Sequence, residues 1–269
     1  MTDFFIFVLL MKKTNPIGLF DSGIGGTTIW REINKLMPNE NTLFLADQKN
    51  APYGTQTKEA IVALSHKNVK HLVDQRCKLV IVACNTATTN AIQELRTSFD
   101  IPIIGIEPAI KPASLLTKTS TIGVLATKGT ITSDLFTAKL KLYPDVKIIE
   151  QIGYNLVTLI EAGQLHSQEM RDLLELYLIP MVEQGMDALV LGCTHYPYLT
   201  PIIKTIIPEN VVIIDSGEAV AKHTQKILRE KDLLNDNDSL GECVFYSNID
   251  TTVLKTFVPS HYRVEEIQF

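Results

Sequence analysis

Four short apolar runs near the start of this chain come back later, in the same order and at nearly constant spacing. "IGLFDSGIGGT" begins at 17 and "IGVLATKGTIT" at 122. "NTLFLADQ" at 41 pairs with "DVKIIEQI" at 145, "KLVIVACNT" at 78 with "ALVLGCTH" at 188, and "IPIIGI" at 101 with "NVVIID" at 210. One such match is within reach of chance. Four in register, offset by 104 to 110 positions, imply two similar units. The runs lack polar alternation, as strands do when helices cover both faces of a parallel sheet. Between them, "TKEAIVALSHKNVKHLV" places Ile61, Leu64, Leu72 and Val73 near one face at helical spacing. The expected fold is therefore α/β, with right-handed βαβ crossovers and mostly parallel sheets.

Past the second set, "SGEAVAKHTQKILREKDLL" reads as a helix, and "ECVFYSN" and "RVEEIQF" as strands that return to complete the first unit. The expected division is a discontinuous first domain, 11–107 with 217–269, and a second domain, 108–216. A chain of 269 residues has enough length for two such cores. Residues 1–10 contain "FFIFVLL", far too short to span a bilayer, and Asp3 precedes it where a secretory signal would be basic. They are expected to be an extension outside the fold, upstream of a start at Met11. A surface helix is the bland alternative.

A net charge of −5 gives no general attraction for a phosphate backbone, which argues against nucleic acid as a partner. Four cysteines in a chain this long do not form a disulfide framework, and they fit a reducing, cytoplasmic setting. Two of them, Cys84 and Cys193, end apolar runs in matching contexts and are followed by polar clusters. Ligands of open α/β sheets bind outside the carboxyl ends of the strands. If the units face each other across a cleft, both thiols approach one ligand from opposite sides.

Several chemistries use a thiol. No close-set cysteine pair supports a zinc site, so no metal is expected. A cysteine hydrolase needs one activated sulfur and leaves its duplicate unexplained. Plain core packing suits Cys77 and Cys243 but not two thiols at polar strand exits. Proton transfer at a stereocentre needs both: one sulfur removes a proton from one face while the other delivers one to the opposite face. Helix starts after each cysteine, "NTATTNAIQEL" and "YPYLTPIIKTI", would favour the ionised sulfur. His195 and Asp21 are local proton partners by position.

With "GLFDSGIGG" (18–26), "APYG" (51–54), "ACNTAT" (83–88) and "GCTHYP" (192–197) in order, the chain from Pro16 onward resembles the glutamate racemases of the cofactor-independent aspartate/glutamate racemase superfamily. The resemblance implies two similar three-layer α/β/α domains related by a pseudo-twofold, with the active site in the cleft between them. It implies inversion of glutamate without cofactor or metal, D-glutamate supplied to peptidoglycan, and a homodimer. Carried over by motif, Cys84 would take the proton from D-glutamate and Cys193 from L-glutamate, supported by Asp21 and His195 respectively. Asp21, Ser22, Tyr53, Gly54, Asn85, Thr86, Thr194 and His195 would hold the substrate. A further acid falls at Glu161, although "IGYNLVT" before it lacks the family's usual prolines.

Other readings compete at single positions. "DSGIGGT" follows a strand as a dinucleotide loop does, and Asp47 ends the next strand. Yet Gly23, Gly25 and Gly26 miss the third glycine of G-x-G-x-x-G, where Thr28 stands. A tight turn whose N–H groups, with Ser22, hold a carboxylate suits it better. Asp21 has a second reading as a helix cap. Tyr53 and Gly54 lie in "QKNAPYGTQ", an ordinary turn or a loop that covers the ligand. His66, His71, His166, His223 and His261 read as solvated. The alternatives to a glutamate racemase are a racemase of a related acidic amino acid such as aspartate, and a protein that binds an acidic ligand without turning it over.

Overall fold

The computed structural model describes residues 11–269. The extension expected at 1–10 lies outside them. The first unit alternates β1 (Ile17–Asp21), α1 (Thr27–Leu36), β2 (Thr42–Ala46), α2 (Lys58–Asp74), β3 (Leu79–Val82), α3 (Asn85–Ser98) and β4 (Ile103–Gly105). The chain then crosses to α4 (Ile110–Leu116), β5 (Thr121–Ala126), α5 (Lys128–Ile131), α6 (Asp134–Leu140) and β6 (Lys147–Ile152). After these come α7 (Leu156–Glu161), α8 (Gln168–Glu183), β7 (Ala188–Gly192), α9 (Thr200–Ile203) and β8 (Val212–Ile214). It closes with α10 (Gly217–Glu230), β9 (Cys243–Ser247), α11 (Thr252–Phe257) and β10 (Arg263–Glu266). No helix among the described residues is long and apolar enough to cross a membrane.

Two sheets result, with strand orders β10-β9-β2-β1-β3-β4 and β6-β5-β7-β8, and every recorded pairing is parallel. The four repeated runs occupy equivalent places: β2-β1-β3-β4 has the same order as β6-β5-β7-β8. The inner strands β1, β3, β5 and β7 are buried at every residue, whereas edge strand β6 is partly exposed throughout. That explains the missing alternation in their sequences. The late strands β9 and β10 extend the first sheet beyond β2. In each sheet the order reverses between the first strand and the third, which opens a crevice at their carboxyl ends. Asp21 ends β1 and Cys84 stands two residues past β3. Ala126 ends β5 and Cys193 follows β7 directly.

Helix α2 departs from the expected face. Its buried residues are Ile61, Ser65, Asn68, Val69 and Leu72, while Leu64 and Val73 are half-buried. The helix is rotated so that Asn68 donates to the Asp47 carboxylate and the Tyr53 hydroxyl beneath the first sheet's crevice. A polar anchor outweighs the apolar count.

At the opposite end of the sheet, Lys78 is fully buried just before β3, its ammonium 2.5 Å from the buried Glu40 carboxylate. The ammonium also donates to the Lys13 carbonyl, and Glu40 accepts the Asn235 N–H at 2.8 Å. The cluster ties the chain's first described segment and the segment after α10 to the sheet. Burial pulls the lysine pKa down, and the bond to Glu40 only partly restores it. Lys78→Ala is expected to lower unfolding free energy by about 3–5 kcal/mol, because it strands a buried carboxylate. Urea unfolding measures this, and an unchanged midpoint would show that the pair anchors nothing.

Candidate active site

Cys84 and Cys193 line one narrow cavity, with Ser22, Tyr53, Gly54, Asn85, Thr86, Thr194 and His195 around them. Pro52, Thr127 and Val157 complete the wall. The cavity holds about 10 Å³, about the room of a single water. The cleft is narrow, and an amino acid does not fit it as it stands.

Each sulfur is held differently. Cys84 caps α3, its sulfur 3.5 Å from the Ala87 N–H and 3.7 Å from the Ser22 hydroxyl. The helix start was expected to favour its ionised form. Instead, burial first and the Asp21 charge second push the thiol well above its usual range, against the weaker pull of those two contacts. Cys193 precedes no α-helix start. Tyr196–Leu199 forms a 3₁₀ turn and only then does the short α9 begin. Pro197 and Pro201 supply no N–H there, so the expected cradle of backbone donors does not form. Its partner is a side chain: His195 Nδ1 lies 3.7 Å from the sulfur.

His195 is 2% exposed, and its Nε2 donates to Glu161 Oε1 at 2.6 Å. Burial lowers the imidazole pKa, but the hydrogen bonds to Cys193 and Glu161 prevail and hold it well above the usual value. Glu161 also accepts the Ile24 N–H at 2.7 Å on Oε1 and the Gln48 amide at 2.9 Å on Oε2. Burial alone would raise it, yet the His195 bond and these two donors hold it below the usual carboxylate range. The turn of "DSGIGG" therefore does hold a carboxylate, and it is one belonging to the protein. Glycine is required there for space. A Cβ on Gly23 would sit 1.8 Å from Glu161 Oε1, and one on Gly25 would sit 2.2 Å from His195 Nδ1.

Asp21 and Glu161 do not line the cavity. Asp21 is fully buried; its Oδ2 accepts the Gly26 N–H at 2.9 Å, and Thr194 donates to its Oδ1 at 3.4 Å. It thus ties the turn that leads into α1 without capping the helix itself, and it lies close enough to Cys84 to raise the thiol by its charge. Burial raises Asp21 itself, with His195 and the Gly26 N–H pulling the other way. Thr86 meets Thr127 at 2.7 Å, and Gly54 packs on the Thr127 methine. Asn85 donates to the Ile106 carbonyl at 3.4 Å and leaves its Oδ1 unpartnered in the cavity wall.

The loop at 48–55 is organised from beneath. Asp47 takes Asn50 and Asn248 on one oxygen and Tyr53 and Asn68 on the other. All its lone pairs are spent on protein donors, which removes the ribose-acid reading. Thr127 was missed although the repeat contains it: the offset between the runs at 17 and 122 carries Ser22 onto Thr127 and Asp21 onto Ala126. The same logic carries Cys84, Asn85 and Thr86 onto Cys193, Thr194 and His195. The fold repeats, but an acid's charge bears on one sulfur and a histidine ring lies beside the other.

A family model described as Asp/Glu/Hydantoin racemase matches residues 18–224, well over half of the chain. The chain belongs to this racemase family. A racemase relative, the curated glutamate racemase of Herpetosiphon aurantiacus, is 43% identical over 239 residues, covering 88% of this chain and 94% of that protein. The crystal structure of a glutamate racemase isoform from Bacillus anthracis superposes with a TM-score of 0.86 at 30% identity, covering 95% of this chain and 98% of that one. The Francisella tularensis glutamate racemase in complex with D-glutamate superposes at 0.83 and 30% identity, covering 95% and 98%. These racemases share the two-sheet architecture, with sequence likeness running through both units.

Proposed function

We propose that the chain interconverts L- and D-glutamate by proton transfer between two thiols at Cα, with no cofactor. The observation that carries the reading is that both sulfurs, each at the carboxyl end of the equivalent strand in one of two like-ordered sheets, line a single narrow cavity. A Cys193 thiolate removes the Cα proton of L-glutamate, and the electron pair stays on the carbon and its carboxylate. The Cys84 thiol gives its proton to the opposite face. D-glutamate forms, Cys193 is left as thiol and Cys84 as thiolate, and the reverse reaction exchanges the roles. Burial and Asp21 favour the Cys84 thiol, the form that gives its proton in this direction. Asp21 and His195 are the groups at hand to return protons between turnovers. Ser22, Tyr53, Gly54, Asn85, Thr86 and Thr194 would hold the substrate.

The name and sequence likeness of the relatives support glutamate as substrate. The same reading treats 11–107 with 217–269 and 108–216 as two domains that part to admit it. It also has the enzyme act as a cytoplasmic homodimer whose D-glutamate goes to peptidoglycan. The test is solvent deuterium incorporation at Cα, followed by NMR, on L-glutamate, D-glutamate and both aspartates without added cofactor. Incorporation into both glutamates at a common initial kcat/KM is expected. Incorporation into aspartate alone transfers the reading to that substrate. None into any of the four leaves a binding protein.

A further inference from the structure

Glu161 is bound from both units at once, and one of those bonds comes from a residue no motif includes. Gln48 opens the 3₁₀ turn after β2 and is nearly buried. Its Oε1 accepts the Ser247 hydroxyl at 2.9 Å, and its Nε2 donates to Glu161 Oε2 at 2.9 Å. Ser247, fully buried at the end of β9, accepts the Ile249 N–H at 3.2 Å, which leaves its own hydrogen for Gln48. A flipped amide would set its oxygen against the Glu161 carboxylate, acceptor facing acceptor, so the direction of the chain is determined. Beyond Glu161 the same line runs to His195 Nε2 and, through Nδ1, to Cys193.

We propose that Gln48, steered by Ser247, is a positioning residue for His195. Acting through Glu161, it sets the imidazole against Cys193 only when the two units are closed. Gln48 and Ser247 belong to the first sheet and its loops, Glu161 and His195 to the second unit. Opening the cleft for substrate breaks the Gln48 and Ile24 bonds and frees Glu161. Closing restores them, so the proton partner of Cys193 is locked in place only around a captured substrate. The inference rests on the racemase reading and adds to it a residue outside the family motifs.

The titratable groups facing Glu161 are His195, on the turn after β7, and Asp21, at the end of β1. Gln48→Leu is expected to lower kcat about ten-fold while KM stays within about two-fold, since orientation is lost and substrate contacts are not. Gln48→Glu keeps the size of the side chain. While its new carboxyl is protonated it donates to Glu161 as the amide did; once ionised it opposes Glu161. Its activity should lie nearest the parent at the acid end and fall relative to it as pH rises. Ser247→Ala should show a weaker form of the Gln48→Leu effect. Proton NMR of the His195 ring reads the tie without turnover: the Nε2 proton, strongly downfield in the parent, should move upfield in Gln48→Leu. A parent that does not racemise glutamate but shows this response thus sinks the function and not the tie. Parental kcat and an unmoved His195 signal would overturn the inference. So would an equal loss of activity at every pH in Gln48→Glu with a matching drop in unfolding temperature. Should Gln48→Leu not fold, the pH response of Gln48→Glu and the Ser247→Ala variant decide.

Discussion

Cys84→Ser and Cys193→Ser each abolish interconversion of the glutamate enantiomers, with kcat/KM falling by about 10³-fold or more, while both proteins fold as the parent does. A serine hydroxyl has nearly the thiol's shape, but it is far too weak an acid to ionise near neutrality, so the change removes the proton chemistry and keeps the packing. The two losses differ in kind. With Cys84 replaced, Cys193 can still take a proton from L-glutamate and return it to the same face, so slow deuterium incorporation into L-glutamate survives without inversion. With Cys193 replaced, the residual incorporation is confined to D-glutamate. Deuterium incorporation resolved by enantiomer measures both. Normal racemisation by either variant would end the two-thiol mechanism, and incorporation into the same enantiomer in both would end the assignment of sulfurs to faces.

The second large effect comes from a single methyl group. In Gly25→Ala the new Cβ would lie 2.2 Å from His195 Nδ1 and 2.6 Å from two further ring atoms. The ring is buried and bound at both nitrogens, so it has nowhere to swing. Either His195 leaves Cys193 or the two units stop short of closure. Misplacement of about 1 Å in a group that handles protons costs roughly 10² in rate, and the overpacking costs about 1–3 kcal/mol of stability. Gly23→Ala is the informative contrast. Its Cβ would meet Glu161 Oε1 at 1.8 Å, but that atom ends a flexible side chain, which can yield at the expense of its bonds to Ile24 and His195. Gly23→Ala should therefore be the milder variant in unfolding temperature, while its kcat/KM falls through the loosened tie between Glu161 and His195. If Gly25→Ala works at the parental rate, the contact between the "DSGIGG" turn and His195 plays no part in catalysis.

How much of this was readable beforehand depended on how far apart in sequence the cause lay. β1, β3, β5 and β7 are continuous apolar runs because each is covered on both faces, and that pattern is local. The ends of those strands, and therefore Cys84 and Cys193, followed directly. Thr127 is legible too, as the counterpart of Ser22 in the repeat, although the two share only a hydroxyl. The face of α2 was misread because Asn68 is buried for a hydrogen bond and not for apolarity. The helix start after Cys193 failed because two prolines favour a 3₁₀ turn over the α-helix that an apolar run suggests.

A duplicated parallel α/β framework, the strand exits at which chemistry is placed, and a pair of thiols at equivalent exits are all legible in the residue order. These follow from side-chain periodicity and backbone rules acting over a few residues, and the repeat doubles the signal. Folding in three dimensions settled which groups those thiols meet. Glu161 reaches Ile24 across 137 positions, and Ser247 reaches Gln48 across 199. It also decided that Cys84 is buried beside a carboxylate, so that the helix start no longer governs its charge. Hydrogen bonds and desolvation act over a few ångströms of space, and chain distance does not predict which groups come that close.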